Sequence, residues 1–496
     1  MTSTPSIVLI LIVLIFFLGH RTISKFRSIP KNGKLVPRLP PGPTPWPIVG
    51  CALEMLRQKP MFQWIHRLMK EMDTDIACIR LGNVHVILVT CLEIAREFLK
   101  KHDAIFLARP TSMAGQTYSN GYLTTLLTPH GNQWKKMRRV LVSEIISPAR
   151  HQWLQDRRTE EADNLVSKRY FGEERVDGGP TIAKEEHIEV IFTILKYLYT
   201  FCISDYFPCL VGLDLDGHEK FVKEAIRTVN NYHDPIIDSR IGKWRRFGNL
   251  NEEFTSDEPH DLLDVLVMLK DAEGKPLLTH EEIKAQVTGI MFATVDNPSN
   301  AVEWAMAEMI NQPEILQKAM DELDRVVGKE RLVQEYDIPH LNYIKACARE
   351  AFRLHPILAF TPPHMAMSDA VVAGYFIPKG SHVLLSRMGL GRNPKVWNEP
   401  LEFRPERHLT NGCIEVQLTE PDLRFISFST GRRGCVGTLL GTTMTIMLLA
   451  RMVQGFYWKA PPDVTSINLD QSFEDMFPAN SLVAHVEPRL PLHLYP

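Results

Sequence analysis

The sequence predicts a mainly α protein with a minor β portion, held behind an amino-terminal membrane-anchor helix. Three observations point there. Met1 to Leu18 contains no charged side chain, and Ile7 to Leu18 (IVLILIVLIFFL) is wholly apolar. After residue 60, apolar residues recur mainly at helical spacing over long segments. Only a few short runs bounded by turn residues read as strands. The 496 residues are 45% apolar and 23% charged, which excludes a disordered or collagen-like chain. A net charge of −2 gives no global field, so nucleic acid is not an expected partner. The eight cysteines lack close pairs or a repeated spacing, which argues against a disulfide scaffold or a zinc ribbon and for reduced, cytosol-side thiols.

Taken in order, residues 1–20 form the anchor. Positive charge follows the apolar run, at Arg21, Lys25, Arg27, Lys31, Lys34 and Arg38, whereas a cleaved secretory signal carries it in front. The run is near the short end of what spans a bilayer, which suits the endoplasmic reticulum membrane. The positive-inside bias predicts a single-pass protein with everything after Arg21 in the cytosol. Residues 21–45 are a basic and proline-rich linker, in which Leu39 to Pro47 (LPPGPTPWP) reads as a stiff extended spacer. Residues 46–496 are expected to be one domain. Helices are predicted at Pro60–Met72, Leu92–Lys101, Gly131–Ser143, Glu186–Phe201, Phe221–Trp244, Leu262–Lys270, Thr279–Ile310, Pro313–Val327, Leu341–Leu354 and Leu439–Gln454. Ala77–Leu81 and Val84–Val89 read as strands around Gly82-Asn83, and Val371–Phe376 with His382–Leu385 as a hairpin-like pair. The polar run Asn249 to Asp261 reads as an exposed loop.

The chemistry concentrates near the carboxyl end, in Phe428-Ser-Thr-Gly431-Arg432-Arg433-Gly434-Cys435-Val436-Gly437. A cysteine on a glycine-rich loop before a helix, beside two arginines, is placed where amide donors, the helix dipole and positive charge favour a thiolate able to ligate iron. Glycines on both sides let a flat macrocycle approach the backbone, and Phe428 can cover the sulfur. Upstream, Glu350-Ala-Phe-Arg353 puts an acid and a base on one face of a helix. Trp134-Lys-Lys-Met-Arg138 pairs an indole with a guanidinium, and a long helical stretch carries Asp296-Asn297-Pro298-Ser299. Pro298 removes a helix amide and is expected to kink the helix there.

The FxxGxRxCxG pattern resembles the haem loop of the cytochrome P450 superfamily, and the other motifs occur in that family's order. The resemblance implies the cytochrome P450 fold with haem b (iron protoporphyrin IX) bound through Cys435. It further implies contacts from Phe428, Gly431, Arg433 and Gly437, propionate contacts from Trp134, Arg138 and His364, and a structural triad of Glu350, Arg353 and Arg407. The segments DNPSN, SFSTGRRGC, VAGYFIPKGSHVLLSR, GLGRNP and PERH are similar to a plant branch, the aldoxime-forming amino acid N-monooxygenases. That branch hydroxylates the amino nitrogen of an L-amino acid twice, giving the (E/Z)-aldoxime that feeds cyanogenic glucosides, glucosinolates or nitriles. It uses dioxygen and electrons from NADPH through the membrane-bound NADPH-cytochrome P450 reductase, for which Lys135, Lys136, Arg139 and Arg432 offer a basic docking face. Asp296 keeps the family's usual acid, Asn297 stands where a threonine usually follows it, and the two are expected to form the proton-delivery region. Substrate contacts are expected from Asn297, Ser299 and Thr361, with an apolar wall from Ile357 to Phe360. Phenylalanine or a branched aliphatic amino acid is favoured, because no residue can be assigned to a phenol or indole donor.

Glu160 to Val166 and Ser167 to Gly172 resemble phrases that are not adjacent in relatives, so a segment on the order of 30 residues is expected to be missing between 166 and 167, about 45 Å of helix. Two other readings stand beside the aldoxime-forming one. They are a carbon-hydroxylating plant relative of specialised metabolism, and a haem-binding membrane protein inactivated by that gap.

Overall fold

The helix His280–Asn311 runs through the middle of the molecule and the other elements are arranged about it. Its start is fixed by a capping box, in which the Thr279 hydroxyl accepts from the Glu282 amide while the Glu282 carboxylate accepts from the Thr279 amide. From Asn300 to Ile310 it is almost wholly buried, Ala301, Trp304, Ala305, Met306 and Met309 included, which is why that stretch is mostly apolar instead of striped. It packs on the helices Thr438–Gly455 and Asn342–Leu354. The structure is a computed structural model that describes residues 37–58, 60–166, 184–198, 200–247, 258–409, 415–472 and 476–495.

The expected helices lie close to their predicted positions, at Met61–Glu71, Asn132–Val140, Lys184–Leu198, His218–Phe247, Leu262–Met268 and Pro313–Val326. The fold is mainly α with a minor β portion, as the sequence predicts. Pro298 is held inside the central helix, which continues through it to Asn311. Two expected helices change character: Leu92–Arg96 passes into a π-helical turn at Glu97–Lys101, and Asn132–Val140 into another at Leu141–Ile145.

The principal sheet joins β1 (Ile76–Leu81), β2 (Val84–Val89), β3 (His364–Met365) and β6 (His382–Leu385) in the order β1-β2-β6-β3. Here the hairpin expectation is corrected. β4 (Ala370–Val372) pairs with β5 (Tyr375–Ile377) across a turn at Ala373 and Gly374, both with positive φ, the geometry a tight antiparallel hairpin requires. What reads as one strand, Val371–Phe376, therefore folds back on itself. His382–Leu385 leaves it to pair in parallel with β2, placing four buried residues in the main sheet.

The proline-rich segment is also corrected in part. From Arg38 onward it is no free spacer: the Arg38 carbonyl accepts from the Phe376 amide at 2.8 Å and the Pro41 carbonyl from the Cys78 amide at 2.8 Å. Proline, having no donor of its own, uses its carbonyls to satisfy the sheet. The expected anchor at 1–20 and the linker up to residue 36 lie outside the described residues, as do Ser167–Gly172, Cys413 and most of the Asn249–Asp261 run. Among the described residues no helix is long and apolar enough to cross a membrane. The seven described cysteines are all free thiols.

Asn342–Leu354 is the helix on which the interior is locked, since every residue from Tyr343 to Leu354 is buried, charged ones included. The Glu350 carboxylate accepts from Arg353 Nη2 and Nε at 2.7 and 2.8 Å, from Arg407 Nε at 2.8 Å and from the Arg404 amide at 3.0 Å. His408 completes it through Nε2 at 2.7 Å, while its Nδ1 accepts from Arg349 Nε at 3.2 Å. Arg353 spends its remaining donors on the carbonyls of Gly391, Pro400 and Glu402. Burial alone would push the Glu350 carboxyl up, but the hydrogen bonds from Arg353 and His408 outweigh it and hold it at about 2.

Removing one partner from such a buried pair strands a charge, so Arg353→Ala is expected to cost about 3–5 kcal/mol, read as a fall in the urea midpoint; an unchanged midpoint refutes the triad's structural role. Because Glu350 titrates lower folded than unfolded, its stabilisation is complete above its unfolded value of about 4.3 and fades as pH falls toward about 2. Acid titration of the urea midpoint should show this loss in the wild type, and less of it in Glu350→Gln.

Candidate active site

The Phe428–Gly437 loop enters the site between the Pro405–His408 turn and the Thr438–Gly455 helix. The Cys435 amide donates to the Phe428 carbonyl at 2.8 Å, closing the loop, and the Thr438 hydroxyl donates to the Cys435 carbonyl at 3.0 Å. Gly431 has φ 72°, and a Cβ there would lie 2.6 Å from the Asp103 carboxylate and 2.9 Å from the Leu99 carbonyl. Only glycine takes that conformation in that space. Phe428 sits edge-on to Phe352 at 5.7 Å, and Gly441 admits its ring to the following helix. Gly437 leaves the sulfur uncovered, its missing Cβ position being 3.9 Å away. Val436 packs against an apolar cluster that includes Ile283 of the central helix, which sets the sulfur loop near that helix.

Cys435 is exposed by surface area yet densely surrounded by protein atoms, as a residue lining a recess is. Burial pushes its thiol up, against the Gly437 amide, the Arg387 charge, the Thr438 hydroxyl and the Arg138 charge. The charges that favour the thiolate come from Arg387 and Arg138, where the sequence pointed to Arg432 and Arg433, and burial outweighs them. A bound metal ion is what would take the sulfur proton's position.

A cluster of cations lies next to the loop. The guanidiniums of Arg433 and Arg138 stand 4.3 and 5.6 Å from the Trp134 ring. Arg433 donates to the carbonyls of Leu107 at 2.8 Å and Thr128 at 2.9 Å, and Arg138 meets the Gly434 carbonyl at a weak 3.4 Å. Among the described residues neither arginine meets a carboxylate, and the buried Trp134 indole N–H has no hydrogen-bond partner. Burial, with Arg109 and Arg138 nearby, pushes Arg433 down to about 9. Buried positive charge beside an unused donor fits an anionic group such as a pair of carboxylates.

His364 departs from its expected role. It is buried, and burial with the Arg109 and Arg433 charges pushes it down to about 3, so it is neutral. Its Nδ1 donates to the Phe106 carbonyl at 2.9 Å, leaving a bare Nε2 that accepts but cannot donate to a carboxylate. Sequence reasoning missed Arg109, which is buried, acts on both His364 and Arg433, and ties the Pro362 and Pro363 carbonyls at 2.6 and 2.8 Å.

In the central helix, Ala293, Thr294 and Val295 form an exposed window flanked by buried Phe292 and Asn300. The side chain of Asp296 lies outside the described residues. The Asn297 amide group donates to the Ala293 carbonyl at 2.9 Å, and the Ser299 hydroxyl donates to the Val295 carbonyl, so the Ser299 proton is already committed. Asn300, which the sequence reading passed over, is 2% exposed with neither amide atom hydrogen-bonded. Thr361 is buried, its hydroxyl accepting from the Leu385 amide at 3.3 Å, which makes it a strand anchor. Ile357 is half-buried, and Phe360 stacks on His66 at 5.4 Å in the cluster beneath the main sheet. On the docking face, Lys135 and Arg139 are exposed one turn apart, but Lys136 is drawn in by Glu282 at 2.7 Å and Arg432 pairs with Asp103 at 3.2 Å.

The cytochrome P450 family model matches residues 40–177 and 171–481. Among curated proteins, the chain is 56% identical to tyrosine N-monooxygenase of Sorghum bicolor, over 94% of this chain and 89% of that one. It is 53% identical to valine N-monooxygenase 1 of Manihot esculenta, over 100% and 96%, and 53% identical to tryptophan N-monooxygenase 1 of Arabidopsis thaliana, over 96% and 92%. A fold of this kind, with a cysteine loop beside a long central helix, and similarity along nearly its full length place the chain in the cytochrome P450 family, among its amino acid N-monooxygenases. Membership brings a haem cofactor and monooxygenase chemistry as the family's common ground. The Manihot alignment has 530 positions against 496 residues, an excess of 34 that this chain lacks.

Gly431→Ala is expected to destabilise the protein by about 1–3 kcal/mol, since alanine is strained at positive φ and meets Asp103 and Leu99. Thermal unfolding of purified protein measures it, and an unchanged midpoint means the loop can relax.

Proposed function

We propose that this chain converts an L-amino acid with an apolar side chain, phenylalanine or a branched aliphatic one, into its (E/Z)-aldoxime by two successive N-hydroxylations. Dioxygen and electrons from NADPH, delivered by NADPH-cytochrome P450 reductase, drive both. The carrying observation is full-length similarity of 53–56% to enzymes named for N-monooxygenation of single amino acids. Those relatives act on tyrosine, valine and tryptophan, so the choice of side chain rests on the absence of an assignable phenol or indole partner.

The residues fit haem b. Cys435 would be the iron's protein ligand, with Phe428, Gly431 and Gly437 shaping the loop around it. Trp134, Arg138 and Arg433 would hold the propionates, giving the unpartnered indole N–H and the two guanidiniums their anions. Arg109 would add charge from behind. When bound, the haem supplies activation of dioxygen and oxygen transfer. The Asp296–Asn297 turn would bring protons and orient the amino group, and the unpartnered Asn300 amide is a further polar contact for ordered water there. We assign residues 1–20 as a single anchor in the endoplasmic reticulum membrane with the catalytic domain cytosolic. Lys135 and Arg139 are the basic pair left free for the reductase.

A second reading has support of its own. The 34 excess alignment positions, and a family match in two pieces meeting at 171–177, support a segment missing near Val166. Without it the chain could bind haem and yet lack turnover.

Microsomes containing the chain and the reductase, fed a panel of amino acids, should form an aldoxime from an apolar one, detected by mass spectrometry. Cys435→Ser should abolish both the product and the thiolate-type spectrum of the reduced carbon monoxide complex. A thiolate spectrum with no aldoxime from any amino acid supports the inactive reading, and a wild type with no thiolate spectrum overturns both.

A further inference from the structure

Cys202, Asp216 and His218 stand apart from the site above, where the short helix Ile203–Tyr206 returns to the start of His218–Phe247. One ligand-type atom from each, the sulfur, a carboxylate oxygen and a ring nitrogen, lie within 4.8 Å of one another. Cys202 is 1% exposed and His218 is 2% exposed. Nε2 of His218 is buried with no hydrogen-bond partner, while the Tyr197 carbonyl acts on the same ring. A histidine whose other nitrogen faces a carbonyl is oriented as metal-ligating histidines are. Asp216 is fixed by the Ile203 amide at 2.9 Å and the His218 amide at 3.4 Å, which leaves carboxylate lone pairs unused. The surroundings are negative: Asp205 and Asp216 both act on Cys202, whose sulfur also lies 3.1 Å from the Ser204 hydroxyl, and Asp214 and Asp216 act on His218.

We infer that Cys202, Asp216 and His218 bind one zinc ion, with water as the fourth ligand. Sulfur, imidazole and carboxylate together are the donor set of zinc, and hard cations such as magnesium or calcium do not choose it. Tetrahedral zinc needs its ligand atoms roughly 3.5 Å apart, so the side chains close by about 1 Å on binding. In the binding step the Cys202 S–H bond breaks, a sulfur–zinc bond forms and the proton passes to solvent, with no change of oxidation state. The ion would staple the 203–217 connection at both ends. That connection also carries Asp205, which accepts from the Met113 amide at 2.7 Å, and Tyr206, which lies 5.8 Å from His382 of the main sheet.

The full-length haem-loaded protein, stripped with chelator, reloaded with zinc chloride and desalted, is assayed for zinc by mass spectrometry against chain concentration. The wild type should retain roughly equimolar zinc, and Asp216→Asn and His218→Gln should retain at least about 10-fold less while keeping their haem. A second measurement needs no variant: because Cys202 is buried, its slow alkylation by iodoacetamide reports opening of the 203–217 connection, which zinc should slow further while leaving alkylation of the exposed Cys209 unchanged. No zinc retained by the wild type, equal retention in both variants, or unprotected Cys202 overturns the site.

Discussion

The buried carboxylate of Glu350 is the point on which the architecture turns. A charge with no exposed surface is tolerable only when its oxygens are fully engaged, and five donors from two stretches of chain engage them. The helix Asn342–Leu354 is thereby fixed to the 398–408 segment, and Trp397 is enclosed by the guanidiniums of Arg353, Arg407 and Arg424. The cysteine loop follows soon after in the chain, beside the helix Thr438–Gly455, which packs on the same Asn342–Leu354 helix. The helix that follows the sulfur's loop therefore rests on the one this ion pair holds in place.

Legibility in the sequence followed the range of the interactions. Glu350 and Arg353 are three residues apart, and Phe428, Gly431 and Cys435 share a loop, so each set forms a local pattern that could be matched to the family's motifs, although the Glu350–Arg353 spacing carries weight only beside the others. Arg407 was reachable through resemblance, and its neighbour His408 was in the same quoted phrase, yet nothing local says that this histidine faces Glu350. Arg109 acts on residues more than 250 positions away. The hairpin was misread because valine and phenylalanine suit one long strand as well as two short ones, and the turn residues Ala373 and Gly374 decided the matter.

The candidate site shows why residue type alone gives a role only provisionally. His364 is the right residue in the right place, but its donor hydrogen goes to a carbonyl. Ser299 likewise spends its proton within the helix. Lys136, drawn as part of a basic face, instead closes the capping box of the central helix by holding Glu282. By contrast Trp134 and Asn300 gain meaning from what they lack, since a buried donor or amide without a partner is costly unless something else meets it.

The stitching of Arg38 and Pro41 to the sheet has a consequence for reach. If residues 1–20 are buried in a bilayer, only residues 21–37 separate them from the first stitched residue, and so short a leash spans at most about 60 Å when pulled taut. On the proposed anchoring, the body would stay within that reach of the lipid surface, where apolar compounds dissolved in the membrane and other tethered proteins would be met by lateral diffusion.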